Sequence, residues 1–287
     1  IWSNGHTARP GRASTPVLLA GHDLARPFAR LAAVDPPLSS GGGAQRNAVP
    51  AYDIPNLQVV KNRVLEQPIR TSSLRSLGAI GNVFAIECLM DELAERAGRD
   101  PLAFRLAHLA DPRARAVLEA VTGMADRAGA PAEGHGRGLA FARYKNTSGY
   151  CAVVAEVDVR AELHATRLWI AADIGEAISR DRAINQIEGG AIQATSWALK
   201  EEVRFHTEGL DCGSWELYPI LRFSEAPAVE VELIDRPDEP PLGAGEIAHG
   251  PTAAALANAI HAALGVRVRR MPFTRERIIA AMEQDDA

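Results

Sequence analysis

The sequence predicts an α+β fold, and three features of its patterning carry that expectation. Residues 82–128 show sustained helical periodicity. Residues 150–159 and 165–174 are runs of Val, Ile and Ala joined by a short polar turn, the signature of paired strands. Strands and helices then follow one another without strict alternation. The expected organisation is a loop-rich and helical segment over 1–128, a linker over 129–136 and an α+β segment over 137–287.

The elements can be justified in order. Residues 1–75 are rich in Pro, Gly, Ser and Arg, and "PPLSSGGGAQRN" (36–47) and "PAYDIPN" (50–56) read as loops. "LQVVKNRVL" (57–65) reads as a strand. In "NVFAIECLMDELAERA" (82–97) apolar residues fall at 83, 86, 90, 93 and 97, which is helical spacing. Asn82 suits its N-cap and Gly98 its C-terminal stop. Asp100-Pro101 and Asp111-Pro112 each open a further helix, with a capping carboxylate followed by Pro in the first turn. "GAPAEGHG" (129–136) reads as the linker, and the period changes from Leu139, ahead of the strand pair over 150–159 and 165–174. Residues 180–203 form a helix that carries Gly189 and Gly190. A helical glycine costs about 1 kcal/mol relative to Ala, so this pair implies close approach of a backbone or a ligand. A strand over 228–235, a helix over 251–264 ended by Gly265 and a short helix capped by Thr274 complete the chain.

Composition excludes several functions. The net charge is −5 and the pI is about 5.9. With no basic run, nucleic acid is not the expected partner. No stretch of about 18 apolar residues marks a spanning helix. Cys88, Cys151 and Cys212 lie far apart, which argues against a disulfide framework and a zinc site. An iron–sulfur cluster needs about four clustered Cys, so any such cluster belongs to another chain. The eight histidines show no HExxH spacing, and no GxSxG is present. The opening "IWSNGHTARPGRASTP" has no Met and reads as the interior of a longer protein.

Three small-residue loops before or within helices remain: "RSLGAIGN" (75–82), "EGGAIQ" (188–193) and "GAGEIAHGPT" (243–252). They fit neither GxGxxG nor the P-loop. Small residues let backbone N–H groups approach a ligand closely, and a helix N-terminus favours an anion. Such a chain is expected to bind a large anionic cofactor mainly through its backbone. Glu246, between two glycines and a helix, reads on spacing alone either as a partner of the helix dipole or as a positioned base. Arg75 and Gln193 likewise read either as solvated surface residues or as ligand contacts.

Taken together, "SNGHTARPG", the block from "RTSSLRSLGAIGN" to "ARAVLEA", "INQIEGG" and "DEPPLGAGEIAHGPTAAALANAI" resemble one family and fall in its order. The chain is similar to the molybdopterin-binding large subunit of the xanthine dehydrogenase/aldehyde oxidase family, in its isoquinoline 1-oxidoreductase and nicotinate dehydrogenase branch. The resemblance implies molybdenum held through a pterin, usually in the cytosine dinucleotide form, and not through side chains. It makes Glu246 the general base. It places Arg75 beside the substrate pocket and puts Leu77 where relatives carry a stacking aromatic. A smaller or non-aromatic substrate, or another stacking partner, follows from that exchange. Arg46 matches a substrate-orienting Arg through a gapped alignment. Gln193 matches a cofactor contact, and Gly78, Ala79, Gly189, Gly190, Gly243 and Gly245 fall to the cofactor's cradle.

The activity so implied is oxidation of an aldehyde, or hydroxylation of a carbon next to nitrogen in a heteroaromatic ring, with oxygen from water. Electrons would leave through a small [2Fe–2S] partner subunit, with a cytochrome among the candidate acceptors. The N-terminal half of the large subunit, with a GxGQ-type cofactor loop, would be a second partner. Bacterial cytoplasm and a periplasmic or membrane-associated site both remain open. The alternative is a structural, assembly or truncated piece of such a subunit, inactive without its other half. Two departures stand out: "GAGEIAHG" where most relatives have Gly-Glu-Pro, and Ser179-Arg180 where relatives carry Asn-Pro. The Ala/Gly/Pro wall around Glu246 is expected to desolvate the carboxylate and raise its pKa.

Overall fold

The structure is a computed structural model and describes residues 2–3, 24–26, 35–64 and 73–285. The "SNGHTARPG" motif lies almost wholly outside the described residues. β1 (Trp2–Ser3) pairs in parallel with β2 (Asn62–Arg63), and among the described residues β2 covers two residues of the strand expected over 57–65.

The helical block begins earlier than the pattern implied. α1 (Ala79–Arg96) starts one turn before Asn82, which lies inside the helix. The Asn82 amide caps nothing and instead donates to the carbonyls of Ala44 and Arg46, both at 2.8 Å. α2 (Pro101–Ala107) and α3 (Pro112–Arg127) open as expected. Asp100 accepts from the Ala103 N–H, and Asp111 from the N–H groups of Arg113 and Ala114.

β3 (His135–Arg143) begins inside the stretch expected as linker. Gly136 and Gly138 hide its strand pattern, and packing explains both. A Cβ at Gly138 would lie 2.2 Å from the Ala259 nitrogen, and one at Gly136 would lie 2.3 Å from the Ala259 carbonyl. β4 (Tyr150–Asp158) and β5 (His164–Asp173) follow, then α4 (Arg180–Leu199). α4 stops four residues before the expected 203, and the chain turns into a small hairpin, β6 (Phe205–His206) with β7 (Gly209–Leu210). β8 (Ala228–Ile234), α5 (His249–Leu264) and α6 (Arg275–Asp285) complete the chain.

The main sheet has the order β3-β4-β5-β8. Its first three strands are antiparallel neighbours, and β8 joins β5 in parallel through the α4 crossover. Both faces are covered, which is why β4 and β5 read as nearly continuous apolar runs. Alternate residues divide between two cores. Val153, Ala155, Leu168 and Ile170 pack with α5, α4 and the start of α1. Ala152, Val154, Trp169 and Ala171 pack with α3 residues such as Val117, Leu118 and Val121. Burying such a side chain contributes about 1.5–3 kcal/mol each.

A buried ion pair joins α1 to α2. Arg105 is fully buried, and its Nε donates to Glu87 Oε2 at 2.9 Å. Tyr52 Oη donates to Glu87 Oε1 and the Phe141 N–H to Oε2, so both carboxylate oxygens are satisfied. The remaining Arg105 donors reach the carbonyls of Pro101, Glu87 and Leu139. Cys88 and Cys151 are buried free thiols, and burial pushes the Cys88 thiol up to about 12.

Candidate active site

α5 fixes one wall of the site. Twelve consecutive residues from His249 to Ile260 are buried, and the helix lies close on the glycines of β3. The loop leading into it is tied to the turn after β5. Leu242 N–H donates to the Ile174 carbonyl at 2.8 Å and Glu176 N–H to the Glu239 carbonyl at 2.9 Å. Gly175, at φ +69°, has no room for a side chain, because a Cβ would lie 2.1 Å from the Pro240 carbonyl oxygen. Glu246 sits at the end of this loop with about a third of its side chain exposed.

Three loops converge on that carboxylate. The Ser76 N–H donates to Oε1 at 2.8 Å, from the turn before α1. The Tyr144 hydroxyl donates to Oε2 at 2.7 Å, from the turn after β3. Arg46, from the 41–48 loop, donates through Nη1 to the Tyr144 hydroxyl and lies 3.8 Å from Oε2. The other Arg46 donors go to the carbonyls of Gly41 and Gly42, each at 2.8 Å. The fork of Arg46 is therefore spent on its own loop and on Tyr144, a geometry that suits support of Glu246 better than a contact to substrate.

The same loops hold the backbone strain. Asn47, Ser76, Leu77, Lys145 and Asn146 all adopt positive φ, between 51° and 78°. Outside glycine this conformation costs about 1 kcal/mol or more per residue and persists only where the surroundings impose it. Asn47 shows how: its Nδ2 donates to the Arg143 carbonyl and its Oδ1 accepts the Lys145 N–H, locking two loops together.

The electrostatics reverse one expectation. Burial does push the Glu246 carboxyl upward. The Ser76 N–H, the Tyr144 hydroxyl and the charges of Arg46 and Lys145 more than offset it, and hold Glu246 below the usual carboxylate range. The small-residue wall leaves the charge well solvated by these donors, so Glu246 is ionised at neutral pH.

Arg75 ties the Glu246 loop to α4. Its Nε donates to the Gly245 carbonyl, and its Nη2 to the Gln186 carbonyl and side-chain oxygen at 3.0 and 3.1 Å. Gln193 is engaged by His249, with Nε2 and Oε1 at 3.1 Å. His249 is fully buried, and burial together with the nearby Arg75 pushes its pKa down to about 4. Gly190 makes room for that ring: its Cβ would lie 3.0 Å from His249 Cε1. Gly78 is a glycine for the same kind of reason, with the Ala44 carbonyl 2.2 Å from where its Cβ would stand, and Ala79 is buried at the start of α1. Gly189 and Gly243 differ, since a Cβ at either would meet nothing within 4 Å. Gly245 is nearly as open, with only Gln186 Oε1 at 3.8 Å. Leu77 is half-buried beside Ser76.

The arrangement thus brings together Glu246, Arg75, Arg46, Gly245, Gly190 and Gln193. Sequence reasoning did not find Tyr144, Ser76, Lys145 or Gln186. Two clefts, of about 390 and 500 Å³, lie away from Glu246 and share Glu95 and Arg267 among their lining residues. Among the described residues no group of three His, Cys, Asp or Glu side chains is placed to hold a metal ion. Among them, too, no helix is long and apolar enough to cross a membrane.

Comparison with known proteins gives this site its class. Two family profiles, both described as molybdopterin cofactor-binding domain, match residues 37–109 and 85–227. The chain is 40% identical over 258 residues to a nicotinate dehydrogenase subunit of Pseudomonas putida, covering 83% of this chain and 21% of that protein. It is 34% identical over 230 residues to the beta subunit of isoquinoline 1-oxidoreductase of Brevundimonas diminuta, covering 78% of this chain and 29% of that protein. It therefore spans less than a third of the length of either relative. Among solved structures, aldehyde oxidoreductase from Desulfovibrio gigas superposes with a TM-score of 0.64 at 16% identity, over 74% of this chain and 42% of that one. Quinoline 2-oxidoreductase from Pseudomonas putida 86 gives 0.63 at 14% identity, over 73% and 53%. The chain belongs to the xanthine dehydrogenase/aldehyde oxidase family of molybdopterin-binding oxidoreductases, in the branch of nicotinate dehydrogenase and isoquinoline 1-oxidoreductase.

Proposed function

We propose that this chain forms the Glu246-bearing part of a molybdenum hydroxylase, which oxidises aldehydes or hydroxylates carbons next to nitrogen in heteroaromatic rings with oxygen from water. The observation that carries the reading is an ionised carboxylate, Glu246, held at both oxygens on the glycine loop before α5.

The residues around it suit a pterin cofactor. Gly189, Gly243 and Gly245 leave backbone open to approach, as a cofactor held by main-chain groups requires. The Ser76 Oγ is buried without a hydrogen-bond partner in the turn that feeds α1. The cytosine dinucleotide form, a [2Fe–2S] partner subunit and the named substrate classes are parts of this proposal.

When bound, the molybdopterin supplies the two-electron oxidant and activates the water-derived oxygen. The chain's own residues handle the proton. Glu246, ionised at rest, takes it on a lone pair left free by Ser76 and Tyr144. Cofactor and substrate would cover the exposed third of the side chain, which strengthens the effect of burial and raises its proton affinity toward that of a working base. Arg75 keeps the loop at its distance from α4, and Leu77, in place of a stacking aromatic, fits a smaller or non-aromatic substrate or one stacked by another partner.

Replacing Glu246 by Gln keeps shape and removes the base. In the assembled enzyme we expect turnover to fall by about 10²-fold or more with molybdenum loading retained. Full turnover in a fully loaded Glu246→Gln enzyme would sink the assignment.

A further inference from the structure

We propose that Tyr144, oriented by Arg46, is the positioning residue that aims Glu246 and sets how readily it takes a proton. The proposal rests on the reading of Glu246 as the base and adds the group that governs it.

Donor chemistry fixes the direction of the relay. A guanidinium has only donors, so the Tyr144 oxygen must accept from Arg46 Nη1. The phenol's own proton is then committed to Glu246 Oε2. Arg46 has no freedom to turn away, because its Nε and Nη2 are anchored on Gly41 and Gly42 and the residue is buried. Its guanidinium also stacks 5.2 Å from the centroid of the Tyr144 ring, and Lys145 Nζ lies 5.5 Å from it. Asn82 fixes the carbonyls of Ala44 and Arg46, and so fixes the loop that carries the fork.

The result is a carboxylate held at two points. Oε1 is held by a backbone N–H that cannot reorient, and Oε2 by a hydroxyl that is charge-backed. About a third of the side chain stays exposed beyond these two contacts. The charged and titratable groups acting on Glu246 are Arg46, Lys145, Arg75 and His249. The Tyr144 hydroxyl is a neutral side-chain donor to the carboxylate, so its hydrogen bond can be removed without changing the charges around Glu246.

The test is Tyr144→Phe in the assembled enzyme, which keeps the ring against Arg46 and removes only the hydroxyl. We expect unchanged molybdenum loading, an unchanged KM on the pH plateau and an acid limb of kcat/KM moved up by about one pH unit. A readout that needs no turnover accompanies it. The infrared carbonyl band of protonated Glu246, assigned by its loss in Glu246→Gln, should appear at correspondingly higher pH. If neither the acid limb nor the band moves, the proposal is overturned. If Tyr144→Phe does not assemble, Arg46→Lys reads the same hydroxyl. It keeps the charge but loses the fork, and should move the band in the same direction; an unmoved band there also overturns the proposal. Should Glu246→Gln retain activity, the base reading fails, while the infrared titration still reports whether Tyr144 governs Glu246.

Discussion

At the scale of single residues, His249 carries a pH signature of its own. The folded state holds its ring neutral, with the pKa down at about 4 against an ordinary 6.5. Burial is the main cause; Arg75 also lowers the value, while Glu246 opposes. Between those values the unfolded chain binds a proton that the folded chain refuses. The stabilisation from the neutral ring is therefore complete above about pH 6.5 and is lost as pH falls toward 4. Urea unfolding of the chain at pH 7 and at pH 5 should show this loss, which reaches up to about 3 kcal/mol by pH 4. In His249→Leu that part of the slope should disappear. A variant with the same pH slope as the parent would assign the acid sensitivity elsewhere. Glu246 was marked in the sequence by its place in a glycine-rich loop running into a helix, while His249 stood out only as a departure from the Gly-Glu-Pro of most relatives. Tyr144 and Ser76 were not. They meet Glu246 from 102 and 170 residues away, and "RYKNTSG" carries no local sign that its phenol closes on a carboxylate.

At the scale of elements, the Glu87–Arg105 pair shows what joins the helical block to the sheet. Both side chains are almost wholly buried and fully hydrogen-bonded. Removing one partner strands the other in a dry interior. Arg105→Met should cost about 3–5 kcal/mol in chemical denaturation, and a change near zero would show that water reaches the pair. The sequence announced α2 and α3 through their Asp-Pro openings, whose capping bonds depend only on neighbours in the chain. It misplaced the start of α1, because Asn82 resembles a cap and is used for a tertiary contact. It marked no strand over β3, only a change of period from Leu139, because the glycines that α5 demands erase the alternation that marks a strand. Local chemistry was readable, and chemistry owed to a distant element was not.

At the scale of the whole molecule, the sheet between two helical layers does more than supply a core. α5 rests on β3 with backbone nearly touching backbone, and the loop bearing Glu246 is its continuation. Gly138→Ala puts a methyl group 2.2 Å from the Ala259 nitrogen. Overpacking of this kind costs about 1–3 kcal/mol. Because α5 must shift to make room, turnover in the assembled enzyme should fall even where thermal unfolding shows that the fold survives. Unchanged turnover would mean that the Glu246 loop moves independently of its helix. The contact between β3 and α5 also divides what can vary from what cannot. The Glu246 loop inherits its address from two glycines on a buried strand, where any side chain would meet the α5 backbone. The open rim around Gly189 answers to no such contact. If Glu246 is the base proposed above, substitutions at that rim can change what is bound without moving the carboxylate.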